Sequence, residues 1–264
     1  MMKQNKLTKS TFSIYAAFVY IILYMPIVVL IIFSFNDSTI NAVWQGFTLK
    51  WYVGLFDNKE VLEAMWNTIV IGVISSLIST MIGTLAAVGM YKYNFKGKTV
   101  LDGMLYVPII IPEIVMGIAL LMFFSQFKAI FPLGTLTLIL AHITFSISYV
   151  VVVVRARLEG FDRSLEEAAM DLGANQLETF VKVTLPIIMP GIVAGALLAF
   201  TLSVDDVIIS FFVSGPGSTT LPLKIFSMVR FGVTPEINAL STIMLVVTLT
   251  IAVLSEKIRM KFSK

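Results

Sequence analysis

Six long apolar runs constrain this chain more than any motif in it. They cover residues 14–35, 69–90, 104–124, 136–154, 187–211 and 237–255, each close to the ~20 residues a helix needs to cross ~30 Å of hydrocarbon. The runs are continuously apolar, whereas the strands of a membrane barrel alternate over ~10 residues. The expectation is an all-α integral membrane protein with six transmembrane helices, folded as a single transmembrane domain over 1–264. Composition agrees: 58% of residues are hydrophobic and 13% charged, against about 45–50% and about 25% in soluble domains. A net charge of +3 in so apolar a chain provides no basic face for nucleic acid.

Lys3, Lys6 and Lys9 precede the first run as they would in a signal peptide. That run is longer than a cleavable apolar core, however, and Phe33-Ser34-Phe35-Asn36 has no small-x-small cleavage pattern, so a retained first helix is expected. Fourteen of the 19 Lys and Arg fall in the N-terminus, in 91–103, in 155–186 and in the C-terminal tail. Basic residues accumulate on the cytoplasmic side, which places both termini there.

The residue inventory removes much enzymology. With no cysteine and one histidine, His142, there is no thiolate nucleophile, zinc ribbon or multi-histidine metal site. Gly97-Lys98-Thr99 resembles the end of a phosphate-binding loop, but Lys92 stands where the first glycine is required and no strand precedes it. No catalytic residue, metal or cofactor is therefore expected on this chain. A membrane-embedded enzyme would need a nucleophile, metal cluster or acid/base pair that the sequence does not supply.

Small residues mark close helix packing. Gly72, Ser76, Ser79 and Gly83 recur at helical spacing, and Gly191 with Gly195 forms a G-x-x-x-G, patterns that let backbones approach. Pro108 and Pro112 interrupt the third run and predict a kink.

Within the runs the ionisable residues are Glu113, Asp205, Asp206 and His142, with no Lys or Arg. A carboxylate at mid-membrane costs about 2.5–3.5 kcal/mol on insertion scales, so it usually faces a wet cavity or a partner. A negative series of this kind attracts a cation, which makes Glu113, Asp205 and Asp206, with Ser203, candidates for a substrate pathway. Adjacent helical residues point ~100° apart, so the two aspartates cannot both face it squarely. Ser203 and Asp206 share a face at i, i+3, leaving Asp205 to cap a neighbouring helix or pair with another subunit. A proton relay and structural ion pairing are the alternatives. His142, beside Thr144 and Ser146, reads as a hydrogen-bonded packing residue or a group titrating near neutrality. Trp51, with Trp44, Tyr52 and Phe56, belongs either to an interfacial aromatic belt or to a ligand surface.

Segment 155–186 combines several helix signals. Residues 161–172 suit an amphipathic helix capped by Asp162, acidic in its first turns and stopped by Gly173. A second helix over 176–183 is expected to follow, with Pro186 at the entry to the fifth run. Such a projecting helix-turn-helix suits insertion into a partner's groove or serves as a solvated connector.

Glu167-Ala168-Ala169, then Gly173 with nine residues between it and Val183, and Val183-Thr184-Leu185-Pro186 resemble the E-A-A---G---------I-x-L-P signature of type I ABC-importer permeases, with Val183 in place of isoleucine. Further stretches are similar to the spermidine/putrescine branch of that family, in its C-type membrane subunit. These are Trp44-Gln45-Gly46-Phe47-Thr48, Trp51-Tyr52, Leu172-Gly173-Ala174, Ser203-Val204-Asp205-Asp206-Val207, Leu221-Pro222-Leu223-Lys224-Ile225 and Pro235-Glu236-Ile237-Asn238-Ala239-Leu240. The resemblance implies the type I permease fold and a multi-pass subunit of a bacterial cytoplasmic (inner) membrane. It makes 155–186 a coupling segment that docks on an ATPase, through Glu166, Glu167, Ala168, Ala169, Asp171, Gly173, Leu185 and Pro186. It further implies a second homologous permease subunit in a heterodimer, two cytoplasmic ATPase subunits carrying ATP and Mg, and an extracytoplasmic substrate-binding protein. The implied cargo is a polyamine. Alternatives are an importer for another cation such as iron(III) or thiamine, one for a zwitterion, or a proton-coupled carrier.

Overall fold

The computed structural model describes residues 6–38, 43–230 and 232–262, with side chains from residue 12 onward and, beyond Val253, only at Lys257. Lys3 and Lys264 of the basic clusters lie outside the described residues. The described chain is helical, with one isolated bridge pairing Asn36 and Phe47. Helices α1 (Lys6–Phe33), α2 (Lys50–Asp57) and α3 (Lys59–Lys92) are followed by α4 (Lys98–Ile110), α5 (Glu113–Gln126) and α6 (Thr135–Leu158). The short α7 (Ser164–Asp171) and α8 (Gln176–Thr179) lead through a π turn, Phe180–Thr184, into α9 (Leu185–Asp205). Then come α10 (Ile208–Val213), α11 (Leu221–Val229) and α12 (Pro235–Phe262).

Contacts divide the chain into two compact units, one from Met1–Asn58 with Ser227–Val247 and the other from Lys59–Phe226 with Thr248–Lys264. In the first, α1 exposes apolar side chains from Phe12 to Ile32, and Asn36 follows its end. The Asn36 amide donates to the Val43 carbonyl (2.9 Å) and its Oδ1 accepts from the Gln45 N–H (2.9 Å). These bonds satisfy backbone groups that an irregular loop would otherwise leave unpaired.

The second unit is built on α3, α6 and α9, and the small residues sit where these helices touch. A methyl group on Gly83 would stand 2.7 Å from Val150 Cγ1, one on Gly72 3.1 Å from Phe200 and Val204, and one on Gly191 2.9 Å from Arg157 Cβ. Around these contacts Ala87, Val150, Val154, Leu158, Ile188 and Ala199 form one buried cluster, and Ile71, Phe124, Leu138, Phe145, Ile209 and Val213 another.

Among the described residues, five helices are long and apolar enough to cross a membrane, over Phe12–Phe33, Lys59–Lys92, Thr135–Leu158, Gln176–Asp205 and Pro235–Val253. The third expected span is different. Instead of one kinked helix over 104–124, the chain makes two helices, α4 and α5, bent by 111° at Ile111-Pro112. Pro112 cannot donate to continue α4, and it forces Ile111 into the extended region, observed at φ −72°, ψ 134°. Pro108, by contrast, is absorbed within α4.

The fifth span also departs from expectation. It ends at Asp205 rather than Phe211, because Asp206 leaves helical geometry (ψ 127°) and α10 starts afresh two residues later. At its other end it begins early: 176–205 is one continuous helix instead of a separate 176–183 segment. Pro186 has no N–H to offer the Lys182 carbonyl four residues before it, and there the helix widens into the π turn, whose Leu185 N–H bonds to the Phe180 carbonyl.

Candidate functional site

The break at Ile111-Pro112 and the break at Asp206 face one cavity. It measures about 290 Å³ and is lined by residues from α4, α5, α6 and α9 together with the turn into α10, including Glu113, Tyr149, Thr201, Asp205 and Asp206. Among the described residues, no Lys or Arg lines it. Glu113 is the first residue of α5 and Asp205 the last of α9, and both are exposed.

Asp206 is held differently. Its Oδ1 accepts the Ile209 N–H (3.1 Å), while Oδ2 accepts both the N–H and the hydroxyl of Ser210 (2.7 Å each). The carboxylate thus caps α10, a favoured role for aspartate at a helix start. His142 Nε2 stands 3.4 Å from Oδ2 and 3.2 Å from Ser210 Oγ. Its Nδ1 lies 2.6 Å from Ser203 Oγ, which meets Ser75 Oγ at 3.2 Å. The sequence pairing of Ser203 with Asp206 is realised through the imidazole between them. Asp206 caps a helix, and Asp205 is the more exposed of the two where both line the cavity. The His142 ring is fully buried and the Asp206 side chain only 5% exposed.

Sequence reasoning missed Tyr149 and Thr201 in the lining, and Ser75 and Ser210 in the network. An Asp after an apolar run with Ser four residues on was the available capping signal. Trp51 lies in the other compact unit, where its indole N–H donates to the Asn36 carbonyl (2.8 Å) and Lys50 Nζ sits 4.8 Å from its ring. The first of these contacts ties α2 to Asn36.

In segment 155–186, the Asp162 carboxylate accepts from the Ser164 N–H (3.0 Å), and that bond holds its carboxyl below the usual aspartate value. Gly173 adopts φ +92°, the left-handed geometry that only glycine takes without penalty, and the Ala174 N–H returns to the Ala169 carbonyl (3.1 Å). Asn175 and Glu178 then form a reciprocal capping box that starts α8. Glu166 is fastened to the bundle: Lys92 Nζ is 2.6 Å from it and the Thr184 hydroxyl donates to it. Burial pushes the Glu166 carboxyl up, but the Lys92 and Thr184 hydrogen bonds and the Lys92 and Arg163 charges outweigh it and hold it below its ordinary value. Arg163 lies over the Tyr91 ring at 4.7 Å. Glu167, Ala168 and Asp171 face outward beside Leu172 (90% exposed) and Leu177 (71% exposed). Ala169 and Leu185 are half-buried, and Pro186 is exposed.

A multi-pass helical bundle broken twice at an acidic cavity, with a helix-turn-helix fastened to one end, is the build of a membrane transport subunit. Residues 79–258 match the family described as binding-protein-dependent transport system inner membrane component. The chain is 47% identical over 240 residues to the spermidine/putrescine transport system permease protein PotC of Escherichia coli (strain K12), covering 91% of this chain and 90% of that protein. It is 44% identical over 228 residues to the putrescine transport system permease protein PotI of the same strain, covering 84% and 81%. Its fold is similar to a bacterial ABC transporter that imports alginate (TM-score 0.77, 17% identity, 98% of this chain and 99% of that one). It is also similar to the MetNI methionine ABC transporter (TM-score 0.63, 19% identity, 77% and 94%). The chain therefore belongs to the permease family of ABC importers: an all-α, multi-pass membrane subunit that transports and does not catalyse.

Proposed function

We propose that this chain forms half of the translocation pathway for a polyamine, spermidine or putrescine, in an ATP-driven importer of a bacterial inner membrane. The observation that carries the cargo class is the cavity: two exposed carboxylates, Glu113 and Asp205, with no Lys or Arg among the described residues of its lining. Identity of 47% to a spermidine/putrescine permease supports the same cargo. An ammonium group that has shed part of its water gains charge-assisted hydrogen bonds from such carboxylates.

The second half of the pathway is a homologous permease subunit, in a heterodimer. An extracytoplasmic binding protein delivers the cargo. Two cytoplasmic ATPases hold ATP and Mg, and they dock on 155–186 through the outward face carrying Glu167, Ala168, Asp171, Leu172 and Gly173. Glu166, Ala169 and Leu185 are half-buried behind that face, and Pro186 is exposed beside them. The cytoplasmic excess of basic residues supports placing both termini and this segment inside.

The test is radiolabelled spermidine uptake into proteoliposomes containing the whole importer, with internal ATP and no pH gradient. ATP-dependent uptake is expected. Uptake that needs a proton gradient, or none at all with spermidine and putrescine, overturns the reading.

A further inference from the structure

The buried network beside the cavity has an arrangement that the cargo carboxylates alone do not explain. His142 is the point where α6 meets α9, through Ser203, and the start of α10, through Asp206 and Ser210. Helix α10 is held at its far end too, where the Thr137 hydroxyl donates to the Val213 carbonyl (3.0 Å). From this fixed α10, Phe212 packs on α5 at Gly117, where a methyl group would stand 2.6 Å from the ring. Glu113 is one turn before Gly117 on α5, and Asp205 is one residue before Asp206. Both exposed carboxylates are therefore placed by the helix that His142 anchors.

The proton positions follow from the partners. Ser210 gives its hydroxyl hydrogen to Asp206, so His142 Nε2 faces two acceptor oxygens and must carry a hydrogen. On the other side, Ser203 has one hydroxyl hydrogen, which goes to Nδ1 at 2.6 Å, so towards Ser75 Oγ at 3.2 Å it can only accept. A ring donating through Nε2 satisfies a buried carboxylate that otherwise costs heavily to bury.

We propose that His142 is a positioning residue for transport: by holding Asp206 at the start of α10 it sets where Asp205 and Glu113 stand in the cavity, and Asp206 itself serves as anchor rather than as cargo contact. This rests on the acidic cavity handling a cationic cargo. The distinguishing prediction is one of coupling, since residues in one hydrogen-bonded network are non-additive and separate ones multiply.

The experiment measures KM and Vmax for spermidine uptake by the whole importer in proteoliposomes. His142→Leu is expected to raise KM about tenfold, with a smaller change in Vmax, as for lost placement of a binding group. His142→Gln, which can still donate to Asp206 and accept from Ser203, is expected within about threefold of the native KM. Adding His142→Leu to Asp206→Asn should give little further loss, and adding it to Asp205→Asn, whose carboxylate it places, should give less than the product of the two single effects. If His142→Leu does not assemble, Ser210→Ala, which removes one donor to Asp206, carries the test, with an expected KM rise of about threefold. A native KM in His142→Leu, or in Ser210→Ala when that variant stands in, overturns the proposal. So does failure of His142→Gln to rescue, or a multiplicative effect with Asp206→Asn. If Glu113→Gln and Asp205→Asn both transport normally, it is the cationic-cargo reading that fails.

Discussion

The two ends of the second unit each pair a carboxylate with a cationic or proton-donating side chain, and they do so in opposite surroundings. Asp206 and His142 are buried among four helices and satisfied by six polar contacts. Glu166 and Lys92 sit at the rim, with side chains 14% and 23% exposed. A sealed pair costs much to desolvate, and breaking one is severe because the survivor stays buried without its partner. A rim pair is screened by water and contributes at most about 1 kcal/mol. The first arrangement suits fixed architecture around the cavity, and the second suits a contact that shifts as a partner moves.

The largest expected effect comes from breaking the sealed pair outright. Asp206→Ala should destabilise the purified importer by about 3–5 kcal/mol, seen as a lower midpoint in thermal unfolding of the detergent-solubilised complex. A midpoint as little changed as that of Lys92→Met would erase the contrast between the two ends.

Next come the open carboxylates. Glu113→Gln and Asp205→Asn should each reduce spermidine uptake ~10–100-fold, the loss of about 1.5–3 kcal/mol of charge-assisted hydrogen bonding, while thermal midpoints stay near native. An equal loss of stability would place these residues with Asp206 among the structural anchors.

At the rim, Gly173→Arg meets no steric obstacle, since nothing lies within 4 Å of an added Cβ. The left-handed backbone alone costs about 1–2 kcal/mol. The predicted defect is therefore in coupling: ATP hydrolysed per spermidine transported should rise, with the fold intact. Normal stoichiometry would remove the coupling role from this turn.

The smallest effect is a pH dependence. Glu166 has a lowered carboxyl value in the fold, so its contribution is present above the unfolded value of 4.5 and disappears as pH falls through the lower folded value. Lys92→Met should leave the unfolding midpoint nearly unchanged from pH 6 to 8, with any difference vanishing in acid once Glu166 is protonated in the fold as well.

The long apolar runs and the Glu167 to Pro186 signature made the class and most of the spans legible in the sequence. Close packing at Gly72, Gly83 and Gly191 was legible too, since small residues at helical spacing have few other uses in a membrane. What stayed hidden were the two interruptions that build the cavity. Hydropathy runs straight through Ile111-Pro112 and through Asp206, because an apolar run scores alike whether the backbone bends or not. The roles of Asp205 and Asp206 were hidden for a related reason: a helical wheel assumes the helix continues, and here it stops between them.

The π turn at Phe180–Thr184 gives the rim a mechanical property of its own. One π turn holds one residue more than an α turn, so tightening it to α geometry would screw the preceding chain by ~100° and slide it ~1.5 Å along the axis of α9. Most backbone bonds in that stretch would find a new partner, while the Lys182 carbonyl, facing Pro186, would not, so the wide turn is the favoured setting of the screw. Glu166 grips Thr184, the last residue of this turn, so a push on the outward Glu167 face is delivered at the thread of the screw.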